Sequence, residues 1–324
     1  MHSAPFEVRT EHVVCPMCAL DRPAPYRARV YRIGETRFDL VRCPCGFVYV
    51  DPRPDGPTLG KMYDDADYYT DGYNLGVETE NYFERRDELL VHYDGVVAEL
   101  ERTICKPGDL LELGSAGGFF LEAARRRGWR VKGIEISPPA VEYSRREMKL
   151  DIHSGDLFEA PFAPRSFDLV VADNVLEHTT NPQKVLEKLR SLLKPGGRVL
   201  VIVPSYVNSP FFRMILFLQR VVPRRFLGEQ LVKILKLDPD ADPKGGGYPY
   251  HILEFDRATL TALVERAGFE VERVEGSVPL PAEVFKAKGT TPRVFVLRTI
   301  FKSLDFGMRL GVLPGARLTL VARA

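Results

Sequence analysis

No apolar run in this 324-residue sequence is long enough to cross a membrane as a helix, and no basic-then-apolar leader opens it. Net charge is also nearly absent. Against 45 Lys and Arg stand 44 Asp and Glu, a formal +1, so no global field draws the chain to nucleic acid or to a membrane surface. Cysteine is scarce: of five, four lie within the first 45 residues and Cys105 stands alone. No segment repeats another. These absences lead to the expectation of a cytoplasmic globular protein whose clustered cysteines hold metal rather than disulfides. The length suits one large domain with a small one beside it.

What is present divides the chain. Residues 1–57 carry CPMC (15–18) and CPCG (43–46) and end in the proline-rich DPRPDGP. Residues 58–103 begin rich in Tyr and Asp. They end in a stretch, 81–103, where Phe83, Leu89, Leu90, Tyr93, Val96, Val97 and Leu100 recur at helical steps. From 104 to 324 strands and helices alternate: DLLEL (109–113), RVKGIEI (130–136), DIHS (151–154), FDLVVA (167–172) and RVLVIV (198–203) are separated by helical stretches near 117–127, 138–149 and 181–193. KPGG (194–197) reads as a turn. A helix near 256–267, a strand at 269–276 and a final strand, RLTLVARA (317–324), follow. Two irregular segments, 205–250 and 277–313, interrupt the order as insertions. Such alternation predicts an α/β, Rossmann-like, doubly wound sheet that binds its ligand at the carboxyl ends of the strands.

The loop after the first of these strands is Glu112-Leu-Gly114-Ser115-Ala116-Gly117-Gly118. Gly114 and Gly118 allow close backbone approach. Glu112, two residues before the first glycine, would repel a phosphate but suits a cationic or hydroxyl-bearing ligand. Glu135 ends the next strand, where an acid binds ribose hydroxyls. Asp156, after the third strand, is placed to accept from an adenine amino group. Three acids at three successive strand ends describe an adenosine without phosphate and with a positive charge elsewhere, which S-adenosylmethionine satisfies. A capping role for Asp156 or Asp173 is the plainer alternative.

With FDLVVADNVLEHTTNP (167–182) and LLKPGGRVLVIVPS (192–205) in the same order and spacing, the sequence resembles the class I SAM-dependent methyltransferases from about 95 to 275 and in the last strand. The resemblance implies a sheet ordered 3-2-1-4-5-7-6 with strand seven antiparallel. It also implies a cofactor site built from Glu112, Gly114, Ser115, Ala116, Gly118, Glu135, Ile136, Asp156, Leu157, Asp173 and Asn174. The family usually has glycine where Ala116 stands; alanine costs little there if its φ stays negative.

Cys15-x2-Cys18 and Cys43-x-Cys45 offer four thiolates in two close pairs, a set suited to a structural zinc, although the second pair is one residue shorter than in the usual ribbon. A subgroup of small-molecule methyltransferases starts with such a ribbon, followed by stretches similar to Val48–Pro54 and Tyr63–Tyr69. For the methyl acceptor, a small molecule such as a sugar, glycolipid precursor or specialised metabolite, His178 and His251 are the candidate bases. For His178, packing beneath the cofactor is the alternative, and for His251 a loop role. Tyr63, Tyr68 and Tyr69 are candidates to cover the site. The basic apolar stretch 209–226 reads as a lid, a packed helix or a peripheral membrane contact, and Gly245–Gly247 as a hinge bringing His251 inward. An RNA or protein methyltransferase using the ribbon for docking, and a non-catalytic SAM-binding partner protein, are the other classes. Nucleic acid is disfavoured by the neutral charge, and oligomeric state is not encoded in any motif.

Overall fold

A computed structural model describes residues 6–64, 82–205, 248–277, 303, 306–307 and 317–324. The stretch 209–226, Tyr68, Tyr69 and Gly245–Gly247 lie outside the described residues.

The alternating part of the sequence forms a seven-stranded sheet. Its strands are β6 (Asp109–Leu113), β7 (Arg130–Glu135), β8 (Ile152–Ser154), β9 (Phe167–Asp173), β10 (Leu193–Pro204), β12 (Glu270–Ser277) and β13 (Arg317–Arg323). The spatial order is β8-β7-β6-β9-β10-β13-β12, and β13 runs antiparallel to both neighbours. Counted from β6, this is the expected 3-2-1-4-5-7-6 arrangement. The strands alternate their faces. Leu110, Leu169, Val171, Leu200 and Val321 join one buried cluster with α2 (Arg86–Thr103), α3 (Phe119–Arg126) and α4 (Pro138–Glu147). Leu111, Val170, Ala172, Val199, Val201 and Leu320 join another with α5 (Pro182–Leu192) and α6 (Arg257–Arg266). Apolar runs buried on both faces are what a covered parallel sheet requires. Local signals start the helices: Asn181 Oδ1 accepts from Lys184 N at 3.1 Å, Pro138 and Pro182 occupy first turns, and Asp256 and Thr259 form a capping box. The KPGG segment is not a free turn. It continues β10 as a bulge between Leu193 and Arg198, where Gly196 takes φ +75°.

The N-terminal part is built from β1 (Thr10–Glu11), β2 (Ala24–Ile33), β3 (Thr36–Arg42), β4 (Val48–Val50), β5 (Arg53–Pro54) and α1 (Gly56–Asp64). β1 pairs with β5, and β2, β3 and β4 form an antiparallel sheet. Its fourth strand, β11 (Leu253–Glu254), comes from far along the chain and pairs Leu253 with Tyr49 and Glu254 with Val48. Phe38, Leu40, Phe47, Tyr49 and Met62 belong to the same buried cluster as the α5/α6 face of the large sheet. The small unit therefore shares a strand and a core with the large one.

Candidate active site

The loop between β6 and α3 is strapped to β7. Gly114 N and Ser115 N both donate to Ile134 O, at 2.8 and 3.1 Å. Gly114 has φ +73°, and a Cβ there would meet Val175 Cγ2 at 2.6 Å, so glycine is required twice over. Gly118, at φ +76°, starts α3. Ala116 departs from expectation: its φ is +45°, not negative. Left-handed backbone costs an alanine about 1 kcal/mol or more. Two bonds hold it there: Ala116 N donates to Glu135 Oε2, and Ser144 Oγ donates to Ala116 O, each at 2.8 Å.

Glu112, Ser115, Ala116 and Glu135 thus come together. Glu112 is 7% exposed, and its Oε2 and the buried Ser115 Oγ have no partner among the described residues. Burial, then the neighbouring Asp173 and Glu135 carboxylates, push the Glu112 carboxyl well above its ordinary range. Burial also raises Glu135, against the N–H groups of Ser137 and Ala116 that its two oxygens accept. Each of those oxygens keeps a second lone pair for a hydroxyl. Ile136 is 50% exposed beside them, and Leu157 is buried. Gly155 N donates to Glu135 O at 3.0 Å, which sets the Gly155-Asp156-Leu157 turn against the end of β7. Asp156 itself is exposed and accepts from Phe158 N at 2.7 Å, so it also closes its own turn. Asp173 is held at both oxygens by Arg317 of β13, at 2.7 and 2.8 Å, and by Asn174 Nδ2 at 2.9 Å. Asn174 is exposed at φ +53°. Orphaned buried acceptors beside a glycine cradle, with an excess of acid, fit a cationic adenosine cofactor.

Beyond β9, the short 3-10 turn Leu176–His178 carries Glu177 and His178. Glu177 is fully buried, and neither carboxylate oxygen has a partner among the described residues. Burial, then the nearby Asp173 and Glu254, raise it well above the usual carboxylate range. His178 Nδ1 lies 2.8 Å from Tyr250 O and 2.8 Å from Tyr63 Oη. A carbonyl only accepts, so Nδ1 carries a proton. Ile252 N donates to Glu177 O, and Val50 N to Ile252 O, each at 2.9 Å. This ladder leads into β11 and brings His251 to His178, ring centroids 4.9 Å apart. Tyr63 packs on both His178 and Tyr250.

Sequence reasoning gave Glu177 no role, and it overlooked Arg317 and Tyr250. Glu177, in LEH beside His178, carried a local signal. The other two carry none, because their partners are fixed only by β13 pairing and by β11.

The four N-terminal thiols converge. Cys18 Sγ and Cys43 Sγ are 3.4 Å apart, Cys15 Sγ and Cys45 Sγ 3.6 Å, and all four lie within 4.8 Å of one another, with no disulfide. Thiolates at ~2.3 Å around a tetrahedral zinc lie ~3.8 Å apart, so the set fits that ion. Ala19 N donates to Cys15 O and Gly46 N to Cys43 O, each at 2.8 Å. Gly46, at φ +95°, turns the shorter pair back on itself. Cys105 is remote from this group, its thiol pushed up to about 11 by burial.

A family model described as a methyltransferase domain matches residues 82–274. A probable S-adenosylmethionine-dependent methyltransferase of Mycolicibacterium smegmatis is 29% identical over 202 residues, covering 62% of this chain and 64% of that protein. A demethylmenaquinone methyltransferase of Tropheryma whipplei is 32% identical over 142 residues, covering 41% of this chain and 55% of that protein. The chain thus spans less than two thirds of either relative. A solved phosphoethanolamine N-methyltransferase 2 of Haemonchus contortus aligns with a TM-score of 0.49 at 17% identity, covering 86% of this chain and 64% of that one. Since the family model takes in well over half of its residues, the chain belongs to the class I S-adenosylmethionine-dependent methyltransferases.

Proposed function

We propose that the protein transfers a methyl group from S-adenosylmethionine to a small-molecule acceptor. The observation that carries this is Glu112: a buried carboxyl with one oxygen unpartnered among the described residues, crowded by Glu135 and Asp173, at the mouth of a glycine loop. Two further acids beside it make the site selective for positive charge. When bound, the cofactor supplies an electrophilic methyl on a sulfonium. The protein's share is placement and exclusion of water. Glu135 would accept from the ribose hydroxyls. Ile136 and Leu157 would flank the adenine, with Asp156 at its amino edge. Gly114, Ser115, Ala116 and Gly118 would cradle the methionine portion, with Asp173 and Asn174 closing the side toward β9. The acceptor would sit by His178 and His251, one of which would receive the proton of a hydroxyl acceptor.

Support for a small acceptor comes from the near-neutral charge and from a relative named for demethylmenaquinone. Zinc on Cys15, Cys18, Cys43 and Cys45 is structural in this reading, because four protein ligands leave no position for substrate. The N-terminal unit and the methyltransferase domain would act as one body. No helix among the described residues is long and apolar enough to cross a membrane.

The test is calorimetry with S-adenosylmethionine, followed by incubation with the labelled cofactor and cell extract fractionated by size. Binding of the cofactor and label in the small-molecule fraction are expected. Label in RNA or protein would overturn the acceptor class, and NAD binding in place of S-adenosylmethionine would overturn the activity.

A further inference from the structure

The group at the end of β9 contains more than a base needs. We infer that Glu177, His178 and His251 form a divalent-cation site, distinct from the cysteine site, that holds an oxygen of the acceptor.

Three observations lead there. One ligand atom from each residue can be chosen so that all lie within 4.8 Å of one another, the spacing of three ligands around one ion. His178 Nδ1–H is donated to Tyr250 O at 2.8 Å, which leaves Nε2, on the other side of the ring, as the ligand atom. An imidazole whose far N–H is held by a backbone carbonyl is the arrangement that orients metal-binding histidines. That nitrogen lies 3.7 Å from Glu177 Oε1, too far for a hydrogen bond. Two metal–ligand bonds of about 2.1 Å span that distance at an angle between the tetrahedral value and a straight line.

The third observation is Glu177 itself. It has no exposed surface, and both oxygens lack a partner among the described residues. A carboxylate in that state is costly unless a cation or proton joins it. Burial alone explains a protonated acid. It does not explain why the acid lies against a histidine ring nitrogen with a second histidine beside it.

Two imidazoles and one carboxylate suit zinc, cobalt, iron or manganese, whereas the four thiolates select softer ions. The histidines are only half-buried, so the ion's remaining positions reach the space where the acceptor would enter. There it would lower the pKa of a bound hydroxyl. This role rests on the methyl-transfer reading; the site does not.

The test is cobalt(II) titration of the full-length protein after its bound zinc has been removed with a chelator, read by visible absorption and elemental analysis. Two equivalents per chain are expected. One shows sulfur-to-cobalt charge transfer, and the second shows only weak ligand-field bands. Glu177→Gln and His251→Ala should each weaken the second equivalent at least tenfold and leave the first unchanged. Thermal melting and S-adenosylmethionine calorimetry check that each variant is folded; should Glu177→Gln fail to fold, the half-buried His251→Ala carries the test. A single, sulfur-bound equivalent in the wild type, or a second equivalent indifferent to His251→Ala, would overturn the site. Cobalt bound at the second site without S-adenosylmethionine binding would instead overturn the methyl-transfer reading and leave the site standing.

Discussion

Glu112 and Glu135 are acids placed where an acid is unfavourable without a ligand. The raised Glu112 carboxyl means that the folded protein keeps a proton which the unfolded chain releases near pH 4.5. Its contribution is therefore most favourable below that pH, and stability falls as pH rises toward the folded pKa. Glu112→Gln should melt higher than wild type at pH 7 without ligand, with the gap closing toward pH 4.5, while binding S-adenosylmethionine at least tenfold more weakly. Melting curves across pH, paired with calorimetry, check both halves. Glu135→Ala should weaken the cofactor by about 1–3 kcal/mol, since two ribose hydroxyls lose a charged acceptor; calorimetric affinity equal to wild type would refute that placement. Ala116 is strained rather than acidic. Ala116→Gly should raise stability by about 1 kcal/mol, because glycine takes φ +45° freely, and should leave cofactor affinity within about twofold. Chemical denaturation reads the first effect.

At the scale of the element, short connections outweigh long ones. β11 has only two residues, yet its ladder to β4 and the Ile252 N–H on Glu177 O bring His251 to His178 across 73 positions of sequence. The cysteine turns work similarly: two hydrogen-bonded turns hold four thiols at the spacing of one ion. Freshly purified, reduced protein should carry one zinc per chain at these cysteines. Metal analysis of Cys43→Ser should show that zinc lost, and Cys105→Ser should leave it unchanged, since Cys105 lies outside the group.

The whole molecule joins the cysteine unit and the methyltransferase fold through one buried cluster. Phe47 packs on Phe255 with centroids 5.4 Å apart, Arg53 donates to Thr180 O at 3.1 Å, and Arg266 bonds Met17 O. Elements sharing a core unfold together. Calorimetry of the zinc-loaded protein should give one thermal transition, and removing the metal should lower it as a unit. Two separate transitions, with only the smaller one moved by chelation, would show the units to be independent.

The strands, the glycine loop and the thiol set were legible in the sequence because each rests on local chemistry: apolar runs of strand length, glycines where the backbone turns left-handed, and cysteines two or three positions apart; the order of the strands in the sheet came only with the family resemblance. Glu112 and Glu135 were legible for the same reason, as acids at strand ends. What tertiary structure alone decided is everything that depends on distant partners. Ala116 takes positive φ because Glu135 and Ser144 hold it there, and nothing in Gly-Ser-Ala-Gly announces that. Asp173 is paired because β13 returns antiparallel and sets Arg317 beside it. Glu177, His178 and His251 became one group only when a strand from beyond residue 250 completed the N-terminal sheet, since periodicity and spacing report neighbours along the chain and side-chain chemistry acts between neighbours in space.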